Sequence, residues 1–247
     1  MSSSGPRDLL IEGVNGVYKW SLANLISSIV LIVGAVVAIA AGVSTMSVLA
    51  ALVSIGIAFV IGFIIGLFAL YFLYTGFRNL RDYDRHVFGT GFTGVKLIIA
   101  ALILVIVGIG IAIAAALSAA GHTITLPMGS SPAEVIRAVG PAIGGLLAGG
   151  ALIIVAGILA LIGIIMVAIG LWRLGDVARD GTLIKIGAVL LVIAVILMIF
   201  RVGGILDLVA TVLILIGAKR MLNELRTSAQ PGASQVGVST SPPPPPS

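Results

Sequence analysis

Cysteine is missing from this sequence, and charged residues are scarce. Only 9% of its 247 residues are Asp, Glu, Lys or Arg, whereas about 25% is usual in a soluble domain. Without cysteine the chain has no disulfide, thiolate zinc site, iron–sulfur cluster or covalently attached c-type haem. Hydrophobic residues, in contrast, make up 60% of the chain, and its mean hydropathy is +1.26. Because so few charges cannot cover the apolar surface of a water-soluble fold, the composition predicts an integral membrane protein.

Six apolar runs divide the chain. A helix needs about 20 apolar residues to cross a bilayer, with about 17 as a practical minimum. The first four runs exceed this length, and the last two are short and separated only by the corner Arg201-Val202-Gly203. We therefore predict an all-α integral membrane fold with six transmembrane helices arranged as three helical hairpins. The runs are residues 20–43, 48–74, 97–119, 150–172, 183–200 and 203–218.

The positions of the Lys and Arg residues predict the orientation of these spans. If the chain starts on the inner side, the inner segments hold 12 of the 14 cations and the outer segments only Arg137 and Arg201. Such an excess on the cytoplasmic side is typical of multi-pass membrane proteins. We predict that both termini lie inside. The net charge of +5 then reflects the orientation of the protein in the membrane. We therefore expect no nucleic-acid partner.

The ends of the chain differ from its middle. We expect residues 1–19 to form an inner interfacial segment, because Leu10, Val14 and Val17 recur at helical spacing ahead of the first span. Residues 20–222 form the six-span domain. Residues 223–247 form a disordered, proline-rich tail that ends in five prolines. This tail either keeps the chain soluble or docks to a partner that recognises proline-rich segments.

The stretch from residue 141 to residue 172 is too long for one upright span and too short for two. Four glycines weaken its first third as a helix. We assign this third to the outer interface or to a tilted extension, with a re-entrant segment as the alternative. Just before it, Ser131-Pro132-Ala133-Glu134 has the form of a capping box and predicts a short outer helix over residues 132–139.

Two glycine patterns suggest how the helices pack. Gly76, Gly170 and Gly217 each precede a cation by two or three residues at the inner boundary. This similarity indicates either a two-helix unit repeated three times or convergence on the same boundary chemistry. Small residues also recur every four positions, and we read these stripes as helix contact faces within the chain or between subunits. The stripes are Ala50, Ser54, Ala58, Gly62 and Gly66; Gly108, Ala112, Ala116 and Ala120; Gly34, Ala38 and Gly42.

Asp207 is the one acid that falls clearly inside an apolar run. A carboxylate at the centre of a span costs about 2.5–3.5 kcal/mol, so such residues are candidates for function. Asp207 lies four residues after Gly203, about 6 Å along a helix, and can therefore reach outer water or pair with Arg201. We consider two roles, an intramembrane pair with Arg201 and a place on an ion or proton pathway. Asn24 can donate a hydrogen bond to a neighbouring helix.

The inner segment from Arg78 to Lys96 is a candidate lipid site. Gly89-Thr90-Gly91-Phe92-Thr93-Gly94 has the spacing of a dinucleotide loop, but no strand precedes it and no acid follows at the required distance. We expect a flexible inner loop that caps the third span through Thr93. Its exposed N–H groups, near Gly91 and Thr93, would meet the phosphate of an anionic lipid. The cations Arg78, Arg81, Arg85 and Lys96 would assist.

The sequence offers no set of residues for catalysis. There is no Ser–His–Asp set and no HExxH motif, and His86 and His122 fall on opposite sides of the membrane in the predicted topology. We expect no enzyme activity, no catalytic, metal or cofactor-binding residues and no cofactor.

The glycine–cation span ends, the segment from Phe88 to Gly94 that leads into the third span, and the proline-rich tail together resemble an archaeal membrane-protein family, domain of unknown function 973. The resemblance covers about residues 7–226, and it implies an archaeal cell membrane and an uncharacterised role. We therefore expect a non-catalytic multi-pass protein, free-standing or an accessory subunit with membrane-protein partners. The alternative is a small transporter or channel that uses the intramembrane acid.

Overall fold

The computed structural model describes residues 5–45, 48–125, 132–198 and 203–228, and all its regular structure is helical. Within these ranges four helices are long and apolar enough to cross a membrane, and a fifth is a shorter apolar helix. The tail after residue 228, Ser131 and Arg201 lie outside the described residues. The six helices are α1 (Pro6–Thr45), α2 (Val48–Tyr83), α3 (Arg85–Thr125), α4 (Pro132–Val177), α5 (Thr182–Met198) and α6 (Gly203–Thr227).

The helices form a closed ring. Each helix packs against its neighbours in the chain, and the ring closes because α6 packs against α1. The contacts are most extensive within the consecutive pairs α1/α2, α3/α4 and α5/α6. No other helix pairs come into backbone proximity in the part of the chain that the structure describes. The axis of the ring is therefore left without a central helix.

Most charged side chains gather at one end of the ring, here called the charged end. It contains the start of α1, the α2–α3 corner, the α4–α5 corner and the end of α6. Long-range contacts hold these parts together. Arg7 donates to the carbonyl of Leu225 at 2.8 Å, and Arg173 donates to the carbonyls of His86 and Val87 at 3.1 and 2.8 Å.

The largest cluster of buried side chains lies in the half of the ring next to the charged end. Its fully buried members come from every helix and include Val17, Phe77, Phe88, Leu171 and Ile214. Towards the other end most large apolar side chains of α1 to α4 stay exposed, for example Ile39 at 68%, Leu117 at 69% and Leu147 at 70%. In the part of the chain that the structure describes, the buried core therefore closes the charged end of the ring.

One glycine contact recurs in all three consecutive pairs. Gly94 of α3 lies so close to α4 that an added Cβ would be 2.5 Å from the carbonyl oxygen of Gly163 and 2.9 Å from the backbone nitrogen of Val167. Gly187 of α5 meets the carbonyl oxygen of Ala210 and the amide of Ile214 on α6, and Gly16 of α1 meets those of Phe72 and Gly76 on α2. In each pair the touched groups are a carbonyl and the amide four residues later. Relative to the end glycines the register is the same in α3/α4 and α5/α6 but three residues later in α1/α2, so the contact supports a repeated unit most directly for the last two pairs.

The start of α1 differs from the sequence prediction. We expected a separate interfacial helix over residues 1–19, but α1 runs unbroken from Pro6 to Thr45. Leu10, Val14 and Val17 are buried in the core at the charged end. The helical spacing of these residues was recognised correctly, but they face α2 and α6 rather than a membrane surface, because the close approach at Gly16 brings α2 against this side of α1.

The start of α4 also differs from the prediction. The helix begins at Pro132, as expected from proline at a first helical position, but it does not end at residue 139. It continues through Pro141 to Val177, so the re-entrant alternative is wrong. The glycines of this region pack against α3, since a Cβ on Gly145 would contact Ala115 and one on Gly149 would contact Gly108. Tertiary contact thus offsets their low helix propensity.

Candidate functional site

A cavity of about 900 Å³ occupies the axis of the ring, and residues from all six helices line it. Its floor is the buried core, represented by Trp20, Leu73, Val167 and Leu191. The lining is apolar except for two side chains, Asn24 of α1 and Asp207 of α6. Small-molecule sites in proteins are typically concave and mainly apolar, span about 300–1,000 Å³ and hold a few polar groups. This cavity has those properties.

The cavity lining follows the repeat. Five lining residues of α2 have counterparts in the lining of α4 that lie 94 positions later, since 157 − 63 = 94. The α2 residues are Phe63, Gly66, Leu67, Leu70 and Leu73, and their α4 counterparts are Gly157, Ala160, Leu161, Ile164 and Val167. Ala69 of α2 and Ile154 and Ile158 of α4 also line the cavity but have no such counterpart. The glycines at the helix ends have the same offset, since 170 − 76 = 94. The cavity therefore lies where equivalent faces of the repeated units meet.

The third unit places Asp207 at the equivalent position on α6. The end glycines Gly76 and Gly217 are 141 residues apart, and so are Gly66 and Asp207. Gly66, Ala160 and Asp207 all line the cavity. Two units thus contribute a small residue at this position, and the third contributes a carboxyl group.

A hydrogen bond between α1 and α6 supports the wall that carries Asp207. Asn24 donates from Nδ2 to Oγ1 of Thr211 at 3.1 Å, and Thr211 is almost completely buried. Asp207 lies one turn before Thr211 on α6, so the polar residues of this wall follow one face of that helix. Thr211 was not recognised from the sequence, because threonine is unremarkable in an apolar helix. Its i, i+4 spacing from Asp207 was the available signal.

The predicted partner of Asp207 lies outside the described residues, so the pairing with Arg201 stays a prediction. Within the described ranges the ion pairs join Arg81 to Asp82, Lys185 to Asp176 and Arg220 to Asp180. All three belong to the charged end.

The cavity has room for a ligand beside two of its lining glycines. A Cβ added to Gly66 or to Gly157 would meet no atom within 4 Å. Both glycines line the cavity, and neither supports a close helix contact. Their effect is therefore to widen the cavity rather than to bring backbones together.

The predicted flexible loop over residues 89–94 is wrong. α3 begins at Arg85 and includes this segment, and the cap of the helix is Asp84, whose Oδ1 accepts hydrogen bonds from the backbone N–H groups of His86 and Val87 at 2.9 and 3.0 Å. Thr93 donates to the carbonyl of Gly89 within the helix at 3.0 Å. Gly91 and Gly94 are buried against α4. This packing explains why a glycine-rich segment is helical, and it leaves no open N–H groups near Gly91 and Thr93 for a phosphate.

The four predicted lipid-binding cations lie at the charged end. Arg78, Arg85 and Lys96 are exposed, and Arg81 is partly exposed. The Arg81 guanidinium and the Lys96 ammonium lie 4.5 and 4.7 Å from the centre of the Phe92 ring. These cations therefore form a positive surface at the α2–α3 corner, in which Arg81 also pairs with Asp82 at 2.8 Å.

The fold and cavity define a class of protein, namely an all-helical protein whose long apolar helices are suited to a membrane and surround an apolar cavity with one acid. The chain belongs to the family described as protein of unknown function (DUF973), which matches residues 10–246. No curated protein and no solved structure matched the chain in the comparisons. The expected resemblance to this family is confirmed.

Proposed function

We propose that the chain crosses the cell membrane six times as three helical hairpins, with both termini inside. Two observations support this topology. The 12 cations assigned to the inner side by sequence contrast with two assigned to the outer side. In addition, large apolar side chains such as Ile39 and Leu117 are about two-thirds exposed on α1 and α3, and soluble proteins rarely leave so many uncovered. The archaeal origin follows only from the resemblance.

In this topology Asp207 lies near the middle of the bilayer. Ten residues separate it from Gly217, which corresponds to about 15 Å along the helix and about half of a 30 Å hydrocarbon core. The α5/α6 pair is short, because only 14 residues separate Gly203 from Gly217, whereas 28 separate Val48 from Gly76 on α2. Gly203 then lies about 21 Å along the helix from Gly217, so α5 and α6 cross the bilayer by thinning it locally.

We infer that the protein binds a small, mainly apolar molecule in the central cavity without catalysing a reaction. The cavity itself is the observation that carries this proposal, since all six helices line it. The cavity favours the transporter alternative, because transporters bind their substrate near the middle of the bilayer. An accessory subunit that contacts membrane-protein partners would not need a central cavity. Anionic lipids on the inner face are further partners, through the cations of the α2–α3 corner.

Filling the cavity tests this function. Gly66→Leu and Gly157→Leu each add a side chain into open space inside the cavity. Gly110→Leu is the matched control, because Gly110 is exposed, has no neighbour within 4 Å and does not line the cavity. We expect saturable binding of labelled tetraphenylphosphonium or triphenylphosphine oxide in nanodiscs by the parent chain and Gly110→Leu. Binding that survives in both cavity variants, or that is missing from the parent chain, would contradict the proposal.

A further inference from the structure

In the cavity lining that the structure describes, only the third unit contributes an ionisable side chain. Where the first unit has Gly66 and the second Ala160, the third has Asp207. Gly66 and Ala160 carry no charge and little bulk, so they leave the space that Asp207 faces. The site is therefore asymmetric, because Asp207 gives one wall an acidic group that the other two walls lack.

Asp207 is the only ionisable side chain in the cavity lining that the structure describes. The nearest other polar groups of this wall, Asn24 and Thr211, bond to each other at 3.1 Å. A carboxyl group at this depth is costly unless an opposite charge or a hydrogen-bond donor reaches it. A ligand that supplied a positive charge would meet this need and would gain from the low polarity of its surroundings.

The other lining residues indicate the chemistry of the uncharged part of such a ligand. Trp20 and Phe63 contribute aromatic rings, and aliphatic side chains and small residues form most of the surface. Aromatic faces attract cations, and they also pack well against apolar groups. A small hydrated ion would find one carboxyl group and no set of oxygen ligands in the lining. An organic cation with a bulky apolar body fits both parts of the cavity.

We propose that the ligand of the central cavity is a hydrophobic organic cation and that Asp207 is its counter-ion. This inference rests on the proposed function and names its substrate class. Asp207 makes the site prefer a positively charged ligand, and the apolar lining provides most of the contact area. A neutral molecule of similar shape therefore binds at the same place but more weakly.

The test compares a cation with a neutral analogue. Tetraphenylphosphonium and triphenylphosphine oxide are both compact aryl phosphorus compounds, and only the first carries a charge. Binding is measured in nanodiscs of zwitterionic lipid, so that a charged lipid surface does not concentrate the cation. We expect the parent chain to bind the cation at least tenfold more tightly than the neutral compound. Asp207→Asn should abolish the preference and retain binding of the neutral compound.

Matched variants distinguish a failure of the counter-ion role from a failure of the proposed function. Asp180→Asn, which removes an exposed acid paired with Arg220 at the charged end, should keep the preference for the cation. If Asp207→Asn keeps it as well, or if the parent chain binds both compounds equally or binds the neutral one better, the counter-ion role is wrong. The last two results would instead indicate that Asp207 is neutralised within the chain, as pairing with Arg201 would do. If neither compound binds, or if Gly66→Leu and Gly157→Leu both bind the two compounds as Gly110→Leu does, the proposed function itself fails.

Discussion

Among single residues, Thr211 shows how a polar contact in an apolar bundle joins distant parts of the chain. It accepts a hydrogen bond from Asn24, 187 positions earlier, and this bond lies at the α1–α6 contact that closes the ring. Thr211 is almost completely buried, so its hydroxyl depends on Asn24 for a partner across the helix contact. The bond therefore fixes the register of the two helices beside the cavity wall that carries Asp207.

We predict that Thr211→Val destabilises the protein by about 0.6–1 kcal/mol, because it removes the acceptor and keeps the shape of the side chain. Thr75→Val is the matched control, since the hydroxyl of Thr75 donates only within its own helix, to Tyr71 and Phe72. Denaturation by a strong detergent in mixed micelles measures both variants. Equal losses in the two variants would show that the bond between α1 and α6 contributes nothing specific.

Pairs of helices depend on glycine where their backbones touch, and not elsewhere. Gly94 packs against Gly163 and Val167 of α4, whereas Gly110 on the same helix has no neighbour within 4 Å. The two glycines are thus chemically identical but differ in what surrounds them. Replacing each by alanine separates the cost of losing the close approach from the ordinary preference of a helix for alanine.

Gly94→Ala should lower the free energy of unfolding by about 1–3 kcal/mol, because the new methyl group has no room beside the backbone of α4. Gly110→Ala should raise it by up to about 1 kcal/mol, as expected for an uncrowded helical site. Thermal melting in detergent gives the sign of each change. A loss of stability for both variants, or for Gly110→Ala alone, would contradict the role assigned to the α3–α4 contact.

The α2–α3 corner is the element to test for lipid binding. Each cation near an anionic leaflet contributes about 1 kcal/mol, and salt weakens this attraction. We predict that replacing Arg78, Arg81 and Arg85 together by Gln removes a preference for anionic over neutral lipid. Arg137→Gln, at a position assigned to the outer side, should not change it. Native mass spectrometry measures lipid retention, and equal retention by the two variants would leave these cations with a topological role only.

For the molecule as a whole, the sequence was informative about elements and less so about their assembly. Length and hydropathy located all six helices, and the glycine–cation ends indicated the repeat that the Gly94 and Gly187 contacts support. The ring closure between α1 and α6 was not predictable, because helices that are apolar on every side carry no periodic signal of which face meets which partner. The central cavity follows from that closure.

Local chemistry also misled the prediction in two places. The N-terminal residues were expected to form a helix on the membrane surface, but they are buried in the core. The glycine-rich segment after Phe88 was expected to be a flexible loop, but it is helical and also contributes to the core. In each case tertiary contacts with a neighbouring helix outweigh a weak local preference. The sequence identified the candidate residue Asp207, because an acid in an apolar run is conspicuous. It did not predict the cavity around Asp207, because five other helices contribute to that cavity.

The six-span topology makes one prediction about the entire molecule. Because the natural chain has no cysteine, single cysteines can be placed at Ser3, Ser130 and Thr227 without a background signal. A membrane-impermeant thiol reagent applied to intact cells should label only the cysteine at position 130, between α3 and α4. After the cells are opened, the cysteines at positions 3 and 227 should react as well. Labelling of position 227 in intact cells would mean that α5 and α6 do not both cross the membrane, and Asp207 would then lose its mid-membrane position.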